Sequence, residues 1–391
     1  MINFNPNPCV DKPKDIKCNC TDEKADLKNT IQILKIVQNC WADQVPNDGE
    51  KISDADAIKQ SIRCLEEYLE SLAENTPENP YVVNVTGLTQ EHFHTESSAS
   101  NVAGSYLSQI IQNSSKYVTL KEKETSYNNA KIEDFSFAAN SYLTGIMGYV
   151  SMGYSIGQYA FMGCTSLTSI EIPDSVTSIG FVTFGLCASL ISITIPVSVT
   201  SIDSGAFVGC SSLTITSNNT KYVTCSNGHG LIDTSTKTLI WSNENIIPND
   251  GSVNSIDSYA LSYCPSLTNI TIPDSITSIG GWVFEGCTSL TSINISDSVT
   301  EIGDYAFSGC SSLTSVKIPL GVTTIGKYAF WQDKKLTTVK IPSSVTYINS
   351  YAFRGCENLE VIIDNTEGAV SISSGALDDC KSVVYLKIVN H

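Results

Sequence analysis

The residues best equipped for chemistry in this chain are its cysteines. Cys164, Cys187 and Cys210 stand 23 positions apart, Cys264, Cys287 and Cys310 repeat that spacing, and Asp333, Cys356 and Cys380 continue it at steps of 23, 23 and 24. Thiols can pair, bind metal or simply pack. Copies stacked in parallel aim their side chains the same way, whereas a disulfide needs Cβ atoms that face each other. The spacing therefore predicts small, buried, free thiols. Away from this series, Cys18-Asn19-Cys20, with Cys9 before it and His92-Phe93-His94 after it, has the ligand types zinc takes. Its Cys-x-Cys spacing lacks the two-to-four-residue separation of structural zinc sites. Asn47-Asp48-Gly49 hints at a calcium loop, but placing Gly49 at the sixth position puts Gln44, Pro46 and Ala55 where carboxylates are required. No Gly-x-Ser-x-Gly, His-Glu-x-x-His or phosphate-binding loop is present, and four scattered histidines leave little for a catalytic triad. No catalytic residue, metal or cofactor is assigned, and the chain reads as a non-enzyme.

Charge narrows the partners. Lys plus Arg is 23 against 40 for Asp plus Glu, a formal net charge of −17, so non-specific nucleic-acid binding is excluded as a function. Residues 135–170 carry no charge, but Ser, Thr, Asn, Gln and Gly interrupt them throughout, which rules out a membrane span. The first residues have neither a basic segment nor an apolar run, so no secretory signal is expected. The chain is then expected to act where it is made, or to leave by another route.

The elements that position these residues come from an internal repeat. One copy reads Ile172-Pro173-Asp174-Ser175-Val176-Thr177-Ser178-Ile179-Gly180, then Phe184, Cys187, Leu190 and Ile193; another reads Ile272-Pro273-Asp274-Ser275-Ile276-Thr277-Ser278-Ile279-Gly280, then Phe284, Cys287, Leu290 and Ile293. The aromatic slot runs through Phe137, Phe161, Phe184, Phe207, Leu261, Phe284, Phe307, Phe330, Phe353 and Leu377, ten copies in all. A period in the twenties is the mark of a solenoid, in which each unit buries its apolar side against its neighbours. Within one unit, Leu167, Ile170 and Ile172 alternate inward as a short strand, with Ser169 and Glu171 outward. Pro173 and Asp174-Ser175 turn the chain, and Gly180 permits a corner.

These motifs resemble the BspA-like leucine-rich repeat family over about residues 132–388. The resemblance implies a surface-exposed binding or adhesion protein of host-associated microbes, with no catalytic residues to carry over. The first copy has Asn140 where the others have Cys and reads as an N-terminal cap, and the last copy is similarly loosened.

The expected organisation is thus a repeat solenoid with a parallel β-sheet on one face (132–391), preceded by a small helical hairpin (1–80) and a connector with one or more short strands (81–131). In the hairpin, Leu27, Ile31, Leu34 and Trp41 share one helical stripe, and Ile58, Ile62, Leu65, Leu69 and Leu72 share another. So small a unit cannot bury both stripes alone. It is expected to self-associate or to dock into a larger assembly. The step from Phe207 to Leu261 is 54 residues, and the extra segment, about 217–246, reads as a β-hairpin around Asn227-Gly228. It is either a tolerated excursion or a binding element carrying Tyr222 and Trp241.

Two further ladders follow from the period. Tyr259, Trp282, Tyr305, Tyr328 and Tyr351 share one slot, either as a half-buried aromatic column or as a sugar-stacking platform. The strand-outward row includes Ser292/Asn294, Ser315/Lys317 and Thr338/Lys340, the candidate binding face. Residues 132–316 carry 2 Lys against 14 acids, while 317–391 carry 8 basic residues against 7 acids, so the C-terminal end is locally basic. The leading expectation is a binding protein that presents this face to a protein or glycan on another surface and is fixed through its N-terminal segment to an assembly such as a phage virion. The alternatives are a microbial cell-surface adhesin exported by an unconventional route and a purely structural decoration or scaffold protein.

Overall fold

The computed structural model describes residues 30–32, 69, 72–85, 105–122, 132–147, 154–365 and 368–386. They form two compact units, residues 1–193 and 194–391. Each is a parallel β-solenoid, and from residue 132 onward its coils repeat about every 23 residues, the insertion apart.

In the second unit the alternating apolar residues give two walls. Asn269–Ile272, Ser292–Ile295, Ser315–Lys317, Thr338–Ile341, Glu360–Ile363 and Ser382–Tyr385 form a six-stranded parallel sheet in chain order. Two-residue strands at Ser278–Ile279, Glu301–Ile302, Thr324–Ile325, Tyr347–Ile348 and Ser371–Ile372 form a second sheet. The register places equivalent residues of successive coils side by side, Ile293 beside Ile270 and Val339 beside Val316. The Phe slot therefore becomes a continuous stack. Ring centroids of Phe284, Phe307, Phe330 and Phe353 are 5.2, 5.1 and 5.0 Å apart, with ring planes nearly parallel, at 8, 11 and 1°. All four are fully buried, in one core with Leu290, Leu313, Leu336 and Leu359.

Polar residues of the repeat also act between coils. Thr291, Thr314 and Thr337 each donate both the backbone N–H and the hydroxyl to the carbonyl of the threonine one coil earlier, with hydroxyl distances of 2.9, 3.3 and 3.2 Å. Thr300, Thr323 and Thr346 do the same along the second wall. These ladders satisfy strand-end carbonyls that the short strands leave open.

The first unit shows that the stack begins before residue 132. Thr30–Gln32, Tyr81–Val85, Val118–Glu122, Leu143–Met147 and Ser169–Ile170 are successive parallel neighbours. The connector thus contains the expected strand, but it is part of the solenoid wall rather than a link to it. It also carries a helix absent from the sequence reading, Tyr106–Ser114, capped by the Ser105 hydroxyl and burying Leu107 and Ile111. Asn140 fits this helix. Its amide nitrogen donates to the Ser108 carbonyl at 2.8 Å and to the Ser108 hydroxyl at 2.9 Å, while its oxygen accepts from the Tyr142 and Leu143 amides. The first repeat needs Asn here because its neighbour presents a helical carbonyl and hydroxyl rather than another coil.

Among the helical-hairpin residues, Ile31 lies in a strand and not in a helix, a correction to the expected stripe. Leu69 is helical and buried, and Leu72 follows it at a bend. Leu27, Leu34, Trp41, Ile58, Ile62 and Leu65 lie outside the described residues, as do Cys9, Cys18, Cys20, His92 and His94.

The insertion has three strands rather than two. Tyr222–Cys225, Gly230–Asp233 and Thr238–Ser242 run antiparallel in sequence, and the third rejoins the wall by pairing in parallel with Ser255–Ile256. Leu231, Ile232, Leu239 and Ile240 are buried beneath it.

Candidate binding surface

The strand-outward ladder is where the sequence placed it. The alternation along Ser292–Ile295, Ser315–Lys317 and Thr338–Ile341 buries every second residue and leaves Ser292, Asn294, Ser315, Lys317, Thr338 and Lys340 exposed. Ser292, Ser315 and Thr338 stand side by side on consecutive strands, and Lys317 is beside Lys340. The lysines are not bare charges. Lys317 Nζ lies 3.6 Å from Asp297, and Lys340 Nζ lies 3.0 Å from Asp364. Both pairs are exposed, so each is weak and easily screened. The basic character read from the composition is thus partly neutralised by carboxylates supplied from other turns.

Tyr222 and Trp241 do not belong to a binding surface, which corrects the hairpin assignment. Each is only 2% exposed. The Tyr222 hydroxyl accepts from the Ile202 amide at 3.1 Å and donates to the Thr200 carbonyl at 3.3 Å, and Trp241 packs edge-on against Phe207. An insertion that replaces coil wall must supply its own core, and these two large rings do so.

The aromatic column is half-buried and stacked. Tyr259, Trp282, Tyr305, Tyr328 and Tyr351 lie 5.2, 5.2, 4.7 and 5.0 Å apart, ring on ring. A sugar stacks on a free ring face, and here the rings cover one another, so the platform reading does not fit. All five sit in the left-handed region, with φ between 55 and 64°. That conformation costs a non-glycine residue about 1–2 kcal/mol, and stacking at about 0.5–1.5 kcal/mol per pair offsets it.

The repeat cysteines are free thiols, all buried except the half-buried Cys380. Cys287, Cys310 and Cys356 donate Sγ–H to the carbonyls of Leu261, Phe284 and Phe330, at 3.0, 3.2 and 3.0 Å. Burial pushes the Cys287 thiol up to about 12, far from nucleophilic use at neutral pH. Asp333 holds this slot in one coil. It is fully buried, neither carboxyl oxygen has a hydrogen-bond partner, and burial raises its pKa well above the usual carboxylate range. Among the described residues no three His, Cys, Asp or Glu side chains converge as a metal site, and no helix is long and apolar enough to cross a membrane.

A groove of about 410 Å³ opens on the outward face where the loop after Thr238–Ser242 meets the strands Asn269–Ile272 and Ser292–Ile295. The loop residues that build it do not belong to the repeat, so the period gave no sign of them.

A solenoid of short parallel strands with a buried Phe–Cys–Leu core and an exposed polar ladder is a leucine-rich repeat protein. The BspA type leucine-rich repeat region matches residues 130–243 and 254–384, and the chain belongs to this family. It is similar to a solved leucine-rich cell surface protein from Faecalibacterium prausnitzii, at 28% identity and TM-score 0.46, over 64% of this chain and 80% of that one. A leucine-rich repeat protein from Eubacterium ventriosum is 22% identical with TM-score 0.51, over 73% and 87%. The pneumococcal vaccine antigen PcpA is 17% identical with TM-score 0.49, over 70% and 80%. A comparison with curated protein sequences finds no match.

Asp333 yields a stability prediction. Its folded pKa is raised, so its contribution is fully present below about pH 4, where the unfolded carboxyl begins to ionise, and is lost as pH rises toward the folded value. Asp333→Cys restores the column's thiol, and urea denaturation should find it more stable at pH 7 by about 1–3 kcal/mol. The gain should shrink toward pH 4. A variant of equal or lower stability at pH 7 would show that the buried carboxyl is compensated.

Proposed function

We propose that the chain is a non-enzymatic binding protein of adhesive type, displayed at a surface, which uses the strand-outward face around residues 292–340 to hold a protein or glycan on another surface. The observation that carries this is the contrast between the two sides of each strand. Seven of the eight repeat thiols are buried in the core, where burial pushes Cys287 up to about 12. The outward side instead repeats short hydroxyl, amide and amine groups in fixed register. Such a row suits many weak contacts acting together. Family membership points the same way, toward recognition rather than turnover.

The finer part of the proposal is attachment. Residues 1–80 fix the solenoid to a larger assembly or to further copies of the chain, on a cell surface or on a virion. Leu69 is buried, Glu74 pairs with Lys116, and Asn75 bonds to the Tyr117 backbone, so the end of this segment belongs to the folded unit. Removal of residues 1–68 takes away the edge strand Thr30–Gln32 but keeps Tyr81–Val85 and its neighbour Val118–Glu122, and should leave a folded chain that has lost its higher-order stoichiometry in light scattering. An unchanged stoichiometry would place the contact elsewhere.

The face itself is tested by Lys317→Glu combined with Lys340→Glu. Each substitution sets a second carboxylate beside Asp297 or Asp364 on exposed ground. Attachment of the purified protein to host cells should weaken severalfold and lose part of its salt dependence, with the melting temperature nearly unchanged. Full attachment by the folded double variant would remove this face from the proposal.

A further inference from the structure

The groove on the outward face has a composition that the rest of the ladder lacks. Asn245 and Asn249 reach it from the loop, Asn269 and Asn294 from two adjacent strands, and Asp274 from the turn that follows Pro273. All five are exposed. The amides of Asn245, Asn249 and Asn294 have no hydrogen-bond partner among the described residues, and Asn269 has only a 3.3 Å bond to the Thr268 hydroxyl beside it. Asp274 is oriented by the Ser296 hydroxyl, which donates to Oδ1 at 2.5 Å and leaves Oδ2 open. Ile246, 60% exposed, supplies an aliphatic flank.

The geometry points to this groove as a binding site for an uncharged sugar of a surface glycan, which rests on the adhesive reading above and gives it a ligand class. The chemistry follows from what each lining group offers. An asparagine amide carries an acceptor oxygen and two N–H donors, and a sugar hydroxyl also both donates and accepts, so four amides match a polyhydroxylated ligand without regard to net charge. The lone carboxylate accepts hydroxyl protons and disfavours sialic or sulfated sugars. A single carboxylate with no second acidic ligand does not make a cation site. An extended peptide would need pockets for alternate side chains, and the groove has one aliphatic flank, which suits the C–H face of a pyranose ring. The volume falls within the roughly 300–1,000 Å³ typical of small-ligand sites.

The test uses the full chain on an array of uncharged hexose and N-acetylhexosamine oligosaccharides, sialylated and sulfated counterparts, and unglycosylated peptides, with cell attachment measured in parallel. Uncharged glycans should be retained, and Asn294→Ala or Asp274→Ala should weaken that binding about tenfold. The melting temperature should be unchanged, since both side chains are exposed. Glu301→Gln, exposed on the second wall and outside the groove lining, should leave glycan binding intact. Cell attachment without retention of any uncharged glycan overturns the sugar site and leaves the adhesive reading standing. Preference for peptides or anionic glycans, or binding undiminished by both groove substitutions, also overturns it. Glycan binding without cell attachment supports the site and sinks the adhesive reading instead.

Discussion

A coil of 23 residues buries almost nothing by itself, and the whole structure depends on stacking one coil on the next in register. The hydrophobic gain is collected only when Phe meets Phe, Leu meets Leu and Ile meets Ile across that step, because the coils share one backbone path and so one set of side-chain directions. The Phe284–Phe353 stack, with centroids 5.0–5.2 Å apart, is this constraint made visible. It explains why the repeat changes freely on its outward strand positions, from Ser and Asn to Lys, and less along its buried columns.

The same constraint governs the polar groups. A strand of two residues leaves its ends short of hydrogen bonds, and buried backbone groups must be paired. Threonine supplies a second donor to the carbonyl one coil back, and the cysteine thiol donates to the Phe-slot carbonyl of the preceding coil. Asn140 is the variant of this device suited to a helical neighbour. Asp333 is the exception, a buried carboxyl in a slot that elsewhere holds a thiol.

Much of this was legible because repetition turns a weak local pattern into a strong one. Ten Phe-slot positions in phase identify the columns, the inward and outward sides of each strand, and the family. What the period does not cover was harder to read. Tyr106–Ser114 is a nine-residue helix whose Leu107, Ile110 and Ile111 recur at helical spacing, a stripe of little more than one turn that does not stand out beside the long repeat. The strand Tyr81–Val85 carries no repeat motif, so its place in the stack appears only through its pairing with Val118–Glu122. Tyr222 and Trp241 lie outside the period, so the spacing does not tell which way they face; the insertion is part of the wall, and they fill its core. The ion partners of Lys317 and Lys340 lie 20 and 24 positions away, about one coil, a proximity that only the folded turns create. The Asn-rich groove needed a loop folded onto the ladder, which no periodic signal describes.

The stacking account is tested most directly at Phe307, whose ring lies between those of Phe284 and Phe330. Denaturant unfolding of Phe307→Ala, beside the parent chain, should show a loss of about 3–5 kcal/mol, since the flanking rings cannot close the gap without breaking the register of the sheet. A loss of less than about 1 kcal/mol would mean that the column is filler and that the strand ladders carry the fold by themselves.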